Sequence, residues 1–130
     1  MRRCRVLGID PGLTRCGYAV IDGRGPAAAT AVSLGVIRTP SSDPLPQRLA
    51  SLRTEFTDLI AEFRPDVVAV EQVFFQVNVR TAMSVGQASG LALAEAALAL
   101  CHLATSPLGR SARTAAGDPM RSRLDRTVTR

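Results

Sequence analysis

Lysine and tryptophan are absent from this 130-residue sequence, and aromatic residues make up only 4% of it. The core of the fold must therefore be built from aliphatic side chains. The three cysteines, at positions 4, 16 and 101, form no CxxC pair and lack zinc-ligand spacing. Their small, odd number argues against a disulfide framework and indicates a reducing compartment, for which we expect the cytoplasm.

A long uninterrupted apolar run is also absent. The amino terminus carries charges and has no apolar segment long enough for a signal peptide. The stretch 81–109 contains a single charge, Glu95, but it is rich in alanine and is interrupted by Ser84, Gln87 and Ser89. Because such a stretch is typical of a buried helix rather than of a bilayer span, we expect no membrane association.

With lysine absent, all 16 basic residues are arginine, and the formal net charge is +5. Residues 1–104 contain ten arginines and nine acids, whereas residues 105–130 contain six arginines and two acids. Basic tails rich in proline, glycine, serine and threonine are usually solvated and are less often nucleic-acid-binding arms. We predict one domain over residues 1–104 and a flexible basic tail over residues 105–130.

Hydrophobic patterning predicts an α/β fold. Residues 4–9, 16–22 and 30–39 are apolar runs separated by turn sequences, which predicts a three-stranded antiparallel meander. Apolar residues then recur at intervals of three and four and predict an amphipathic helix: Leu45, Leu49, Leu52, Phe56, Leu59 and Phe63. Residues 66–71 form a buried strand, and because a helix precedes it we expect it to pair in parallel with the first strand.

Small and apolar residues continue from position 79 without a turn signal as far as Ala104. Asn78 suits the N-cap of a helix over this region. We therefore predict one helix over residues 79–104, about 39 Å long at the usual rise per residue. Such a helix is long for so small a domain.

Two carboxylates follow strands that are predicted to be neighbours: Asp10 ends the first strand and Glu71 ends the fourth. The carboxyl ends of parallel strands meet at one edge of a sheet, where paired carboxylates can hold Mg²⁺. In a two-metal site one ion activates water and the other stabilises the leaving oxygen. Alone, Asp10 before Pro-Gly is a common turn signal. An acid among apolar neighbours, as at Glu71, is costly unless a cation or donor compensates.

Two segments, VLGIDPGLTRCGYAVID (6–22) and PDVVAVEQVFFQVNVRTAMSVGQASG (65–90), resemble the RuvC crossover junction endodeoxyribonuclease family. The resemblance implies an RNase H-like mixed sheet, with three antiparallel strands and a parallel fourth, flanked by helices. It also implies a structure-selective endonuclease that resolves Holliday junctions by metal-dependent phosphodiester hydrolysis in DNA recombination and repair.

The resemblance assigns roles to individual residues. It implies that Asp10 and Glu71 are catalytic and bind Mg²⁺, with two ions per subunit in the intact family. Phe74 matches an aromatic that acts at the junction's bases, and Arg80 is near enough to contact backbone phosphate. A core position for Phe74 and a solvated one for Arg80 are the alternatives. The family further implies a homodimer on four-way junction DNA, formed through the helix that begins near residue 78, and a branch-migration helicase as a partner.

The family pattern is interrupted near residue 94. Members usually continue with a fifth strand, two helices and a closing Asp-x-x-Asp motif before a segment like ALALCHLA, which here follows SGLALAEA directly at residues 97–104. We therefore expect an incomplete domain that lacks the fifth strand and the later helices. Both closing aspartates are absent, so we ask whether Glu95 substitutes as a metal ligand.

Three alternatives remain open at this stage. In the first alternative, the chain is a module that binds four-way junctions without catalysis. In the second, it is an inactive deletion product. A third interpretation takes DPGLT as the Asp-x-Gly-x-Thr phosphate loop of an actin-like ATPase fragment. That class needs two lobes and a second phosphate loop, and the sequence offers neither.

Overall fold

A computed structural model describes residues 2–25, 28–72 and 79–107 of the chain. The first three strands, β1 (Cys4–Asp10), β2 (Arg15–Gly23) and β3 (Ala29–Arg38), pair antiparallel as neighbours in the chain. Helix α1 (Leu45–Phe63) crosses over to β4 (Val67–Gln72), which pairs in parallel with β1. The predicted meander, the helix and the parallel fourth strand are therefore confirmed.

The end of the chain's described part differs from the prediction. Helix α2 (Val79–Leu98) ends six residues earlier than predicted, and a fifth strand, β5 (His102–Pro107), pairs in parallel with β4. The strand order is β3-β2-β1-β4-β5. The expected loss of the fifth strand was wrong, and β5 extends three residues past the predicted domain boundary at residue 104.

The turn between α2 and β5 explains this difference. Leu100 adopts a left-handed conformation with φ of 59°. Its N–H donates to the Ala97 carbonyl, and the Cys101 N–H donates to the Ala96 carbonyl at 3.0 Å. This pattern is a helix-ending motif that glycine usually provides, so the sequence carried no signal for it.

One hydrophobic core lies between one face of the sheet and both helices. Helix α1 contributes Leu52, Phe56 and Leu59, while the buried hydrophobic residues of α2 are all alanines. Alternate residues of the strands complete this core: Leu7, Ile9, Cys16, Tyr18, Val20, Ile37, Val68 and Val70. Because side chains alternate along a strand, the strand residues that lie between these core positions are on the sheet face turned away from the helices.

The amino-terminal end of β1 is held by opposite charges. Arg5 and Asp22 are cross-strand partners, and two nitrogens of the Arg5 guanidinium donate to the two Asp22 oxygens at 2.7 and 2.8 Å. The Arg5 backbone N–H donates to the Asp66 carboxylate at 2.8 Å. These contacts join the start of β1 to β2 and to the residue that precedes β4.

Candidate active site

Asp10 and Glu71 lie side by side at the carboxyl edge of the sheet. The last residues that β1 and β4 pair with each other are Ile9 and Val70. Asp10 comes directly after Ile9, and Glu71 comes directly after Val70. Ile9 and Val70 face the core, so both acids lie on the face turned away from the helices. Since neighbouring strands are about 4.8 Å apart, the two carboxylates can share one cation.

The surroundings leave the Asp10 carboxylate accessible. Asp10 is exposed and Glu71 is half-buried. The cross-strand partner of Asp10 on β2 is Gly17, which has no side chain to cover the carboxylate. On the other side, Glu71 pairs with Ser106 of β5. Asp10 and Glu71 are thus the two middle residues of a row across the sheet, which Gly17 and Ser106 complete. We call this the carboxylate row.

The turn that follows Asp10 is tightly closed. A Cβ atom added to Gly12 would lie 2.1 Å from the carbonyl oxygen of Arg15, so only glycine fits there. Thr39, just after β3, holds the turn from the side. Its hydroxyl donates to the Leu13 carbonyl, and its backbone N–H donates to the Thr14 carbonyl at 3.3 Å.

Arg48 of α1 completes this brace. Its Nε donates to the Thr39 hydroxyl at 3.0 Å, and its Nη2 donates to the Thr14 hydroxyl at 2.8 Å. Sequence reasoning missed Arg48 and Thr39. Arg48 lies in the apolar stripe of α1, three positions after Leu45 and four before Leu52. A charged residue on the apolar side of a predicted helix was the one sequence signal for a specific polar contact there.

Glu95 is not a third ligand of this site. It is buried between the helices, where Arg53 Nε donates to one of its oxygens at 2.6 Å and the Thr57 hydroxyl donates to the other at 3.1 Å. The hydrogen bond from Arg53 lowers the pKa of the Glu95 carboxyl. Within residues 2–25, 28–72 and 79–107, no cluster of three or more histidine, cysteine or acidic side chains could hold a metal ion.

The remaining predicted contacts are less fully placed. Phe74 lies outside the described residues. Arg80 is the second residue of α2 and is exposed. Its position at the start of α2 does not test the predicted phosphate contact, so the role of Arg80 at the site stays a prediction.

Cys16 lies below the turn, in the core on the helix side of the sheet, whereas Asp10 and Glu71 lie on the other side. It is fully buried, and burial raises the pKa of its thiol to about 12. The Gly12 backbone opposes this shift and the nearby Asp10 charge adds to it. The thiol is therefore neutral at physiological pH.

Comparison with known proteins is decisive at this point. The sequence profile described as "Crossover junction endodeoxyribonuclease RuvC" matches residues 6–108. The chain belongs to the RuvC family. The RuvC of Salinispora arenicola is 45% identical over 97% of this chain, and that of a Parafrankia strain is 50% identical over 72% of it. Members of this family are named crossover junction endodeoxyribonucleases and are metal-dependent nucleases.

Solved structures agree on the fold. The T. thermophilus RuvC in complex with a Holliday junction substrate has a TM-score of 0.76 and 30% identity over 81% of this chain. The yeast mitochondrial Holliday junction resolvase has a TM-score of 0.63 at 18% identity and supports the RNase H-like architecture alone.

The chain is shorter than these RuvC relatives. The match spans 73% of the Salinispora protein, 52% of the Parafrankia protein and 64% of the T. thermophilus chain. None of the helices that the structure describes is long and apolar enough to cross a membrane.

Proposed function

We propose that this RuvC chain cleaves four-way DNA junctions, with Asp10 and Glu71 as its catalytic carboxylates. The parallel register of β1 and β4 carries the proposal, because it brings the two acids to one edge and one face of the sheet. The T. thermophilus relative was solved with a Holliday junction substrate, which supports the same substrate class here.

The metal that we propose is Mg²⁺, with two ions per subunit. Adjacent carboxylates, one exposed and one half-buried, supply the hard oxygen donors that this ion prefers. When bound, it polarises the scissile phosphate and lowers the pKa of water. Asp10 and Glu71 would hold the ions against the DNA strand. Because only two carboxylates converge in the described part of the chain, we expect weak metal binding and an Mg²⁺ requirement in the millimolar range.

The DNA contacts and the assembly are proposals of the same kind. Phe74 would stack on junction bases and Arg80 would contact phosphate. The residues after β5, 108–130, would form a solvated basic tail attached to the domain. We also propose a cytoplasmic homodimer that works with a branch-migration helicase. The exposed side chains of Val79 and Met83, near the start of α2, supply an apolar surface for a two-fold contact.

The test of this proposal is cleavage of a synthetic four-way junction in the presence of Mg²⁺. We expect Asp10→Asn and Glu71→Gln each to reduce the cleavage rate at least 100-fold, because each removes the charge of a metal ligand. Asp58→Asn, an exposed acid on α1, makes the same kind of change away from the site and should cleave normally. Wild-type cleavage by either site variant would refute the assignment.

A second function is a junction-binding module without catalysis. The observation in its favour is that Asp10 and Glu71 have no third carboxylate beside them among the residues that the structure describes. This alternative predicts that the chain binds a four-way junction more tightly than linear duplex in EDTA, yet leaves it uncut at any Mg²⁺ concentration. Equal affinity for both DNAs would eliminate it.

A further inference from the structure

Arg15 and Arg38 face each other directly at the catalytic end of the sheet. Arg15 is the first residue of β2, Arg38 is the last residue of β3, and the two are cross-strand partners. The Cβ atoms of such a pair are about 4.5–5.5 Å apart, and like charges in this position destabilise a sheet. Both arginines are exposed.

The pair lies on the same face and the same edge as the carboxylates. Gly17 is the cross-strand partner of Asp10, and Arg15 lies two positions from Gly17, so alternation places Arg15 on the Asp10 face. Arg38 shares that face through its pairing with Arg15. From strand spacing and rise, their Cα atoms lie about 8 Å and about 12 Å from that of Asp10.

No acid in the described part of the chain neutralises this pair. Ion pairs seen there involve Arg3, Arg5 and Arg53, and none of these includes Arg15 or Arg38. The other end of the same sheet shows the contrast, because there Arg5 is opposite Asp22 and binds it through two nitrogens. Opposite charges are thus paired across the strands at one end of the sheet, whereas two like charges are paired at the end where Asp10 and Glu71 lie.

We propose that Arg15 and Arg38 together bind one phosphate of the DNA backbone, next to the phosphate that is cleaved between Asp10 and Glu71. This inference rests on the proposed function for the identity of the ligand. Two guanidinium groups offer paired N–H donors that match phosphate oxygens, and the bound anion removes their mutual repulsion. The contact is independent of sequence and sets the position of the strand along the carboxylate row.

The variants Arg15→Gln, Arg38→Gln and the double variant test the proposal. Arg24→Gln is the matched control, since Arg24 is exposed and follows β2 at the opposite edge of the sheet. Fluorescence anisotropy in EDTA measures the affinity of each protein for a four-way junction and for a linear duplex, over a range of salt concentrations. All variants retain the six tail arginines at positions 110–130, which therefore contribute equally.

We expect each single variant to weaken DNA binding about 3-fold to 10-fold relative to Arg24→Gln, and the double variant to weaken it further. The slope of log affinity against log salt should fall by about 1 to 2 in the double variant, because fewer phosphate contacts release fewer counterions. The melting temperature of the double variant should be at least that of Arg24→Gln, because the repulsion has been removed. This readout separates lost binding from lost folding.

The outcomes separate this inference from the proposed function. If the parent prefers and cleaves junctions but the double variant binds like Arg24→Gln, the phosphate site is wrong and the function stands. If the double variant loses affinity while the parent shows no preference for the junction, the phosphate site stands and junction selectivity is wrong. If the parent binds neither DNA, both are wrong.

Discussion

Replacing Gly12 by alanine tests the tight turn that follows Asp10. The added Cβ would lie 2.1 Å from the Arg15 carbonyl oxygen, whereas the closest carbon–oxygen contacts in proteins are about 3.3 Å. The obstructing atom belongs to the backbone, so no rotamer change relieves the clash. The turn must open by about 1 Å, the difference between these two distances.

The cost of this opening follows from the contacts that span the turn. Thr39 donates two hydrogen bonds to the Leu13 and Thr14 carbonyls, and Arg48 donates one to the Thr14 hydroxyl. Losing one of them costs about 1 kcal/mol, and overpacking adds about 1–3 kcal/mol. We therefore expect Gly12→Ala to lower the free energy of unfolding by about 2–4 kcal/mol. At about 4–8 °C per kcal/mol for a domain of this size, the melting temperature should fall by about 8–32 °C.

Two other glycines calibrate the measurement, which is thermal and urea unfolding followed by circular dichroism. A Cβ on Gly35 would lie 2.7 Å from the Tyr18 side chain, which is buried in the core, so Gly35→Ala should also be destabilising. A Cβ on Gly23 would meet nothing within 4 Å, so Gly23→Ala should be neutral or slightly stabilising. If Gly12→Ala were as stable as Gly23→Ala, the account of the turn would be refuted.

Three further predictions concern other parts of the fold. Because Arg53 and Thr57 lower the pKa of Glu95, the stability from this contact should be complete above the ordinary carboxyl pKa of 4.5 and be lost as the pH falls through the lowered value. Thermal melts between pH 3 and 7 measure this: the melting temperature of Glu95→Gln should fall less on acidification than that of the unsubstituted protein. The same pH dependence in both proteins would contradict the prediction. Leu100→Gly should stabilise the fold by about 0.5–1 kcal/mol in urea unfolding, since glycine adopts the left-handed conformation without strain, and destabilisation would argue against that conformation. At pH 8 a thiol reagent should modify the exposed Cys4 rapidly and spare the buried Cys16 until the protein unfolds, and equal rates would show that Cys16 is accessible.

The sequence was sufficient for the part of the fold that positions the site. The β-branched runs and the turn residues between them predicted the meander, and the stripe of α1 predicted a crossover that makes β4 parallel to β1. The proximity of Asp10 and Glu71 follows from this parallel pairing. The strand direction places both acids at the same edge of the sheet, and side-chain alternation places them on the same face.

The remainder depended on contacts between distant residues. The strand β5 exists because it pairs with β4, and nothing in the run after Leu98 distinguishes it locally from more helix. Glu95 was a candidate ligand by position alone, yet its partner Arg53 lies 42 residues away on the facing side of α1. Arg48 likewise acts on a turn that is 34 residues away. Such pairings are properties of packing, which periodicity does not record.

The direction of β5 has a practical consequence for protein engineering. Strand β5 runs parallel to β4 and ends at Pro107. A polypeptide joined after Pro107 therefore starts at the sheet edge where Glu71 lies, about one strand spacing away from that residue. A fusion or linker inserted after residue 107 would compete with DNA for the approach to the carboxylates. The same insertion beside Arg24, at the far rim, would leave that approach open.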